Sequence, residues 1–347
     1  MALDLLDQGL PSDAVIVDLL GAAQREVGER WLRDEWTVAD EHLASGVTQK
    51  ALDAVANSVE APVPHGFVIV ACAEGDWHSL PAQMFAEQLR ANGFDVAFLG
   101  ASTPVDRVAK MIARHRPDAL AVSCNLPLYF SGLTRLADAA HGQGFPVLAG
   151  GRALGLDPRR ALRLGADGWG ATVTDAVTVL DGWQDRPPEL SAASTMLESA
   201  AMHLDASSAS LAATAFDRLV AEFPRMTSDN DEQLARTRED LAFIVQFVAA
   251  ARLVDDPDVL TEFLAWLRTL LGNRGVPPLA LDAGLRVLAP LIGDLDTPAG
   301  EMTLAALAPA KPMATNAQPG SAPLGVTDTR PRPPRFPGQP AGRGQRR

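Results

Sequence analysis

The strongest constraint on this chain of 347 residues is a change of period between residues 66 and about 183. Short apolar runs (FVIVACA, DVAFLG, ALAVSCN, PVLAGG and GWGATV) are each followed by a stretch with helical spacing, the first of them from about Pro81 to Asn92. Unbroken apolar runs belong to strands covered on both faces, and strands separated by helices pair in parallel. Residues 64–185 therefore read as an α/β unit built on a doubly wound, five-stranded parallel sheet. Ligands of such sheets bind outside the carboxyl ends of the strands. His78, Gly100 to Thr103, Ser123 to Asn125, and the pair Gly150 and Gly151 all fall on that edge.

The flanks are helical. Over residues 1–60, apolar residues recur at three- and four-residue spacing, as in Val15, Leu19, Leu20 and Ala23. LPSDAV predicts a helix capped by Ser12 or Asp13. EWTVADEH predicts another, with Thr37 as cap and Asp40 as the acidic partner of a capping box. EAPVPHG is the linker into the sheet. Residues 190–308 form a further all-α region: an Ala- and Ser-rich helical connector to about 210, then helices to 294, with Gly272 and Gly275 closing one of them. Phe247, Phe263 and Trp266 stand there at helical spacing, as core residues do. Residues 309–347 are rich in Pro, Gly and Arg without periodicity, and a disordered, solubilising tail is expected.

Composition narrows the partners. A net charge of −13 argues against a large nucleic-acid footprint, and no apolar run is long enough to span a bilayer. The amino-terminal residues lack the order of a secretory signal. Cys72 and Cys124 lie in strand-like runs, the setting of reduced, buried thiols. A soluble, cytoplasmic protein is expected.

No G-x-G-x-x-G or Walker loop follows the first strand, so a dinucleotide or nucleotide triphosphate is poorly supported. DWH after that strand offers other chemistry. An imidazole can bind a metal through one nitrogen while a carboxylate holds the other, and Asp76 stands two residues before His78. Taken alone, His78 also fits a loop histidine, Ser123 and Asn125 fit a helix cap, and Gly150 with Gly151 fits an ordinary turn.

In their order along the chain, these residues resemble the cobalamin-binding Rossmann-like domain: D-x-H after the first strand, S-x-(L/N) after the third, G-G after the fourth. The resemblance implies B12 held base-off, with His78 as the lower cobalt ligand, Asp76 orienting it, Ser123, Gly150 and Gly151 lining the channel of the nucleotide tail, and Asn125 as a further cofactor-binding residue after the third strand. Residues 27–45, VGERWLRDEWTVADEHLAS, resemble the helical bundle that caps B12 in light-sensing regulators of the CarH type. There a tryptophan followed ten residues later by Glu-His covers the upper face; here those places are Trp31, Glu41 and His42.

The chain departs from these patterns at four places. Pro81 stands where the family's first motif ends in glycine, and Leu32 where the photoreceptors carry a second histidine ligand to cobalt. No DNA-binding module precedes the bundle, so direct DNA binding is not expected. The bundle is also short. ALDLLDQG matches its second helix, which leaves the first to a partner, to an upstream start, or absent. The expectation is a sensory or regulatory B12 protein rather than an enzyme, carrying adenosylcobalamin or methylcobalamin and acting through a protein partner or self-association. The alternative is a corrinoid carrier of a methyltransferase system.

Overall fold

The computed structural model describes residues 1–60, 62–190, 195–223 and 231–307. The proposed tail at 309–347 lies outside the described residues. The chain opens with α1 (Ala2–Asp7), then α2 (Ser12–Ala14), which runs through a π-helical stretch over Val15–Gly21 into α3 (Ala22–Leu32). Pro11, not Ser12 or Asp13, occupies the cap position of α2, and no side chain caps that end. Proline fixes the entry dihedral, and Ser12 is drawn into the first turn. The long α4 (Val38–Ser58) follows, with the Thr37–Asp40 capping box formed in both directions.

The sheet contains β1 (Gly66–Cys72), β2 (Phe94–Phe98), β3 (Ala119–Ser123), β4 (Val147–Gly150) and β5 (Gly168–Trp169), all parallel, in the order β2-β1-β3-β4-β5. Between the strands lie α5 (Ser79–Ala91), α6 (Val105–His115), α7 (Phe130–His141) and the short α8 (Arg159–Arg163), and α9 (Val173–Asp185) follows the last. α5 begins two residues earlier than its spacing predicts, and Pro81 sits in its first turn, where a missing N–H costs nothing. β5 is shorter than GWGATV suggests because Thr172 is recruited as the cap of α9, in a second capping box with Asp175.

Side chains alternate across the sheet. Val68, Val70, Ala119, Ala121 and Leu148 pack one face against Ala86 and Leu89 of α5 and Ala176 and Leu180 of α9. Ile69, Ala71, Leu120, Val122 and Ala149 pack the other. The amino-terminal helices have a small core of their own, Val15, Ile16, Leu20, Leu52 and Val55, into which Met84 of α5 projects. Gln49 donates to Gln83 at 2.8 Å and Gln83 to Asp53 at 3.1 Å, so α4 is seated on α5.

The carboxy-terminal helices are α10 (Thr195–Ala206), α11 (Ser208–Glu222), α12 (Asp231–Val254), α13 (Asp258–Asn273), α14 (Pro278–Gly293) and α15 (Thr297–Ala305). α10 and α11 do more than connect. Ala201, Leu204, Leu211, Ala215 and Phe216 are buried in the same apolar cluster as α12–α15, and that cluster is continuous with the second face of the sheet. Gly272 lies inside α13; Gly275, at φ +76°, takes the left-handed position beyond its end. Phe247 and Phe263 stack with centroids 3.6 Å apart, core residues as their spacing suggests. Among the described residues no helix is long and apolar enough to cross a membrane.

One carboxyl in this region carries a pH signature. Burial, with Glu239 adding to it, pushes Asp240 on α12 up to about 6, while Arg274 and Arg236 pull the other way. The folded state therefore holds this proton more tightly than the unfolded chain does. Its contribution favours folding below the ordinary carboxylate range and is lost as pH rises through about 6. Asp240→Asn is expected to raise Tm at pH 7.5 and to leave it nearly unchanged at pH 4, as differential scanning calorimetry at the two pH values would measure.

Candidate functional site

The sheet order reverses direction at β1 and β3: β1 leads outward to β2, and β3 leads the other way to β4. The loops after these two strands diverge and leave a crevice at their carboxyl ends. The two halves of the site meet there. Ala73 donates its N–H to the Ser123 carbonyl at 2.8 Å, extending the β1–β3 ladder, and each chain then turns away.

Asp76 occupies the centre of the crevice and is fully buried. Its Oδ1 accepts the His78 backbone N–H at 2.9 Å and faces the ring Nδ1 at 2.7 Å. Its Oδ2 accepts the Asn125 backbone N–H at 2.8 Å, with the Asn125 amide at 3.4 Å. Asn125 Nδ2 also reaches the His78 carbonyl at 3.4 Å and Ser123 Oγ at 3.3 Å. The Asp76 loop is braced from behind: Ser102 donates its N–H to the Asp76 carbonyl and accepts the Gly75 N–H on its hydroxyl. An ionised carboxylate only accepts, so the shared proton sits on Nδ1 of the imidazole. Nε2 then carries the lone pair. Among the described residues no protein group is bonded to it, and the His78 side chain keeps 19% exposure at the mouth of the crevice.

The remaining candidates fall into two groups. Gly150 pairs with Ser123 across β3–β4, and a Cβ there would sit 3.4 Å from the Gly170 carbonyl. Gly151 has φ +107°, and a Cβ on it would collide with the backbone of Cys124, so packing alone demands glycine at that position. Glu41, on α4, accepts from Ser45 at 2.7 Å, and Ser45 in turn accepts from Gln24 of α3 at 2.7 Å. His42 is 56% exposed, with Nε2 3.5 Å from the Glu41 carboxylate. Trp31 is not open to a crevice: it is 7% exposed, and its ring lies against α13. Thus Asp76, His78, Ser123 and Asn125 are brought together and Gly150 adjoins them, while among the described residues no hydrogen bond, ion pair or ring contact joins Trp31, Glu41 or His42 to His78. Leu32, beside Trp31, is buried. Cys72 and Cys124 are free and buried beneath the site; burial, with Asp76 adding to it, pushes Cys72 up to about 12 and Cys124 well above its ordinary value.

The sequence places Ser102 and Asn125 on this edge, but not the contacts by which both brace the Asp76 loop. Both are long-range contacts, and local pattern carries no signal for them.

The donor set discriminates among metals. Among the described residues no three His, Cys, Asp or Glu side chains converge to hold a bare ion. One oriented imidazole suits a metal that brings its equatorial ligands with it, as the cobalt of a corrin does. The matches of sequence point the same way. Residues 66–178 match a family described as B12 binding domain, and residues 1–56 match a second family of that description. The chain is 30% identical over 158 residues to the HTH-type transcriptional repressor CarH of Myxococcus xanthus, covering 43% of this chain and 52% of that protein. It is 28% identical over 127 residues to the methanol–corrinoid protein of Methanosarcina barkeri, covering 36% and 48%. The chain thus spans about half the length of the curated relatives it matches. Among solved structures, the monomethylamine corrinoid protein of Methanosarcina barkeri aligns over 52% of this chain and 88% of that one, at 22% identity and a TM-score of 0.44.

If Asp76 sets the tautomer and aim of His78, Asp76→Asn must disturb the site, because an amide has one acceptor for two sides that both donate: its NH2 meets either the N–H and ring of His78 or the N–H of Asn125. The expected outcome is cobalamin affinity weakened by about 10- to 100-fold, read by titration of the visible spectrum. The donor set, the placement of His78 at the switch point and the two matched segments converge: the chain is a cobalamin-binding protein that resembles the CarH-type regulators.

Proposed function

We propose that residues 1–60 cap, and residues 64–185 cradle, a cobalamin held base-off with His78 as its lower ligand, and that the protein works as a sensor. The observation that carries this is the 2.7 Å contact of His78 Nδ1 with the buried Asp76 carboxylate, which leaves Nε2 as the nitrogen without a protein partner among the described residues. Cobalamin, when bound, supplies a cobalt–carbon bond that light or a chemical reaction can break. Asp76 and Asn125 hold the imidazole; Ser123 and Gly150 leave room at the strand ends for the displaced nucleotide tail. Glu41, steadied by Ser45 and Gln24, and His42 offer hydrogen bonds to an upper ligand. In this reading the protein is not an enzyme. It acts in the cytoplasm, and it passes the state of the upper ligand to a protein partner or to another copy of itself.

The corrinoid-carrier reading has one observation in its favour: the exposure of His42 leaves this side of the cap accessible, as a methyl-accepting partner would need. The two readings separate in one comparison. Protein loaded with adenosylcobalamin in the dark and then exposed to green light is expected to change its assembly state by size-exclusion chromatography with light scattering. No light-driven change, together with methyl transfer from the methylcobalamin-loaded protein to a thiol, would favour the carrier.

A further inference from the structure

α13 touches both halves of the cobalamin module, and its two attachments differ in kind. Near its amino end, Arg160 of the sheet domain, itself only 7% exposed, binds Asp256 at 2.7 Å and Glu262 at 3.1 Å, and donates to the Ala153 carbonyl. Arg163 adds Asp255 at 3.1 Å. Charge-assisted contacts of this sort, with a buried arginine satisfied on several sides, are costly to break. Toward the carboxyl end, α13 meets the cap. Trp266 stacks on Trp31 with centroids 6.3 Å and planes 13° apart. Arg274 lies over the same indole at 4.8 Å, and Asn273 donates to the Leu32 carbonyl at 2.9 Å.

The second attachment is incomplete. Trp266 is 7% exposed, and its Nε1–H is buried without a partner among the described residues. A buried donor left unpaired weakens the state that buries it. The ion pair at the rim of this contact, Arg274 with Asp34 at 3.8 Å, is long and partly exposed, so it adds little. From Glu262 to Asn273 a helix spans about 16 Å. A stiff element of that length, fixed at two ends, cannot follow a change of spacing between cap and sheet without releasing one of them. The poorer end is the one on Trp31.

We propose that α13 is a strut that reads the separation of cap and sheet, and that placing an upper ligand under the cap releases its Trp266 end while the Arg160 end holds. This rests on the reading of Trp31 as part of the cap over the cofactor. The helices α12–α15 then receive the signal directly, within one chain, and the step from cofactor to output is the parting of two indoles.

The test is hydrogen exchange of the full chain, with and without adenosylcobalamin, with the visible spectrum recorded on the same samples. Amides of residues 266–274 are expected to exchange about tenfold faster in the loaded protein, while residues 258–262 keep their protection. Two variants sharpen the sign. Trp266→Phe keeps a ring and removes the orphan N–H, so it should tighten docking and weaken adenosylcobalamin binding, by roughly tenfold. Trp266→Ala should do the reverse. A His78-dependent spectrum with unchanged or increased protection at residues 266–274 overturns the strut while leaving cobalamin binding intact. Affinity changes of the same sign in both variants overturn it too. A spectrum showing no bound cobalamin overturns the functional reading, and the strut with it.

Discussion

The arrangement of this protein turns on one buried carboxylate. Asp76 lies where the loops from β1 and β3 part, and it accepts hydrogen bonds from both sides of that gap: the backbone and ring of His78 on one, the backbone of Asn125 on the other. Burying a charge is costly unless it is fully hydrogen-bonded, and the crevice of a parallel sheet supplies the free N–H groups that do so. The same bonds decide the chemistry. With Nδ1 held by the carboxylate, the imidazole presents Nε2 outward, in a place where, among the described residues, no cluster of ligand side chains converges. A site of this kind is of little use to a bare ion and suited to a cobalt already enclosed by a macrocycle.

Everything else in the module keeps that geometry in place. The β1–β3 ladder runs on to Ala73 and Ser123, so the two loops leave from a fixed register. Gly151 lets the strand-end backbone pass over Cys124, and Ser102 holds the Asp76 loop against the end of β2. The cap rides on α5, whose first residue follows His78 directly, so the histidine and the cap share a mechanical element. The carboxy-terminal helices are continuous with the other sheet face and reach round to Trp31. On the proposed reading, a cofactor between the amino-terminal helices and the sheet has two routes outward, through α5 and through α13.

Much of this was legible in the sequence, for a physical reason. Parallel strands covered on both faces leave unbroken apolar runs, and capping boxes leave Thr and Asp three residues apart; both signals are local. The strand-end residues could therefore be placed on one edge before any coordinates were known, and His78 with Asp76 singled out by their spacing. What was missed is non-local. The contacts of Asn125 and Ser102 with the Asp76 loop span 49 and 26 positions. Trp31, placed over the upper face by resemblance, is also packed against α13, a contact across 235 positions that no periodicity announces. The short β5 shows a local competition resolved by capping: Thr172 serves as the cap of α9, in a capping box with Asp175, rather than as a further rung of an edge strand.

The central claim is that the imidazole of His78 replaces the cofactor's own base on cobalt. It is tested most directly by electron paramagnetic resonance of the protein grown with 15N-labelled histidine and loaded with cob(II)alamin. Axial nitrogen splits each cobalt line, into a doublet for 15N and a triplet for 14N. The structure predicts doublets in the labelled protein and their loss in His78→Ala. Triplets in the labelled protein would mean that the cofactor keeps its own base and that His78 is not its ligand.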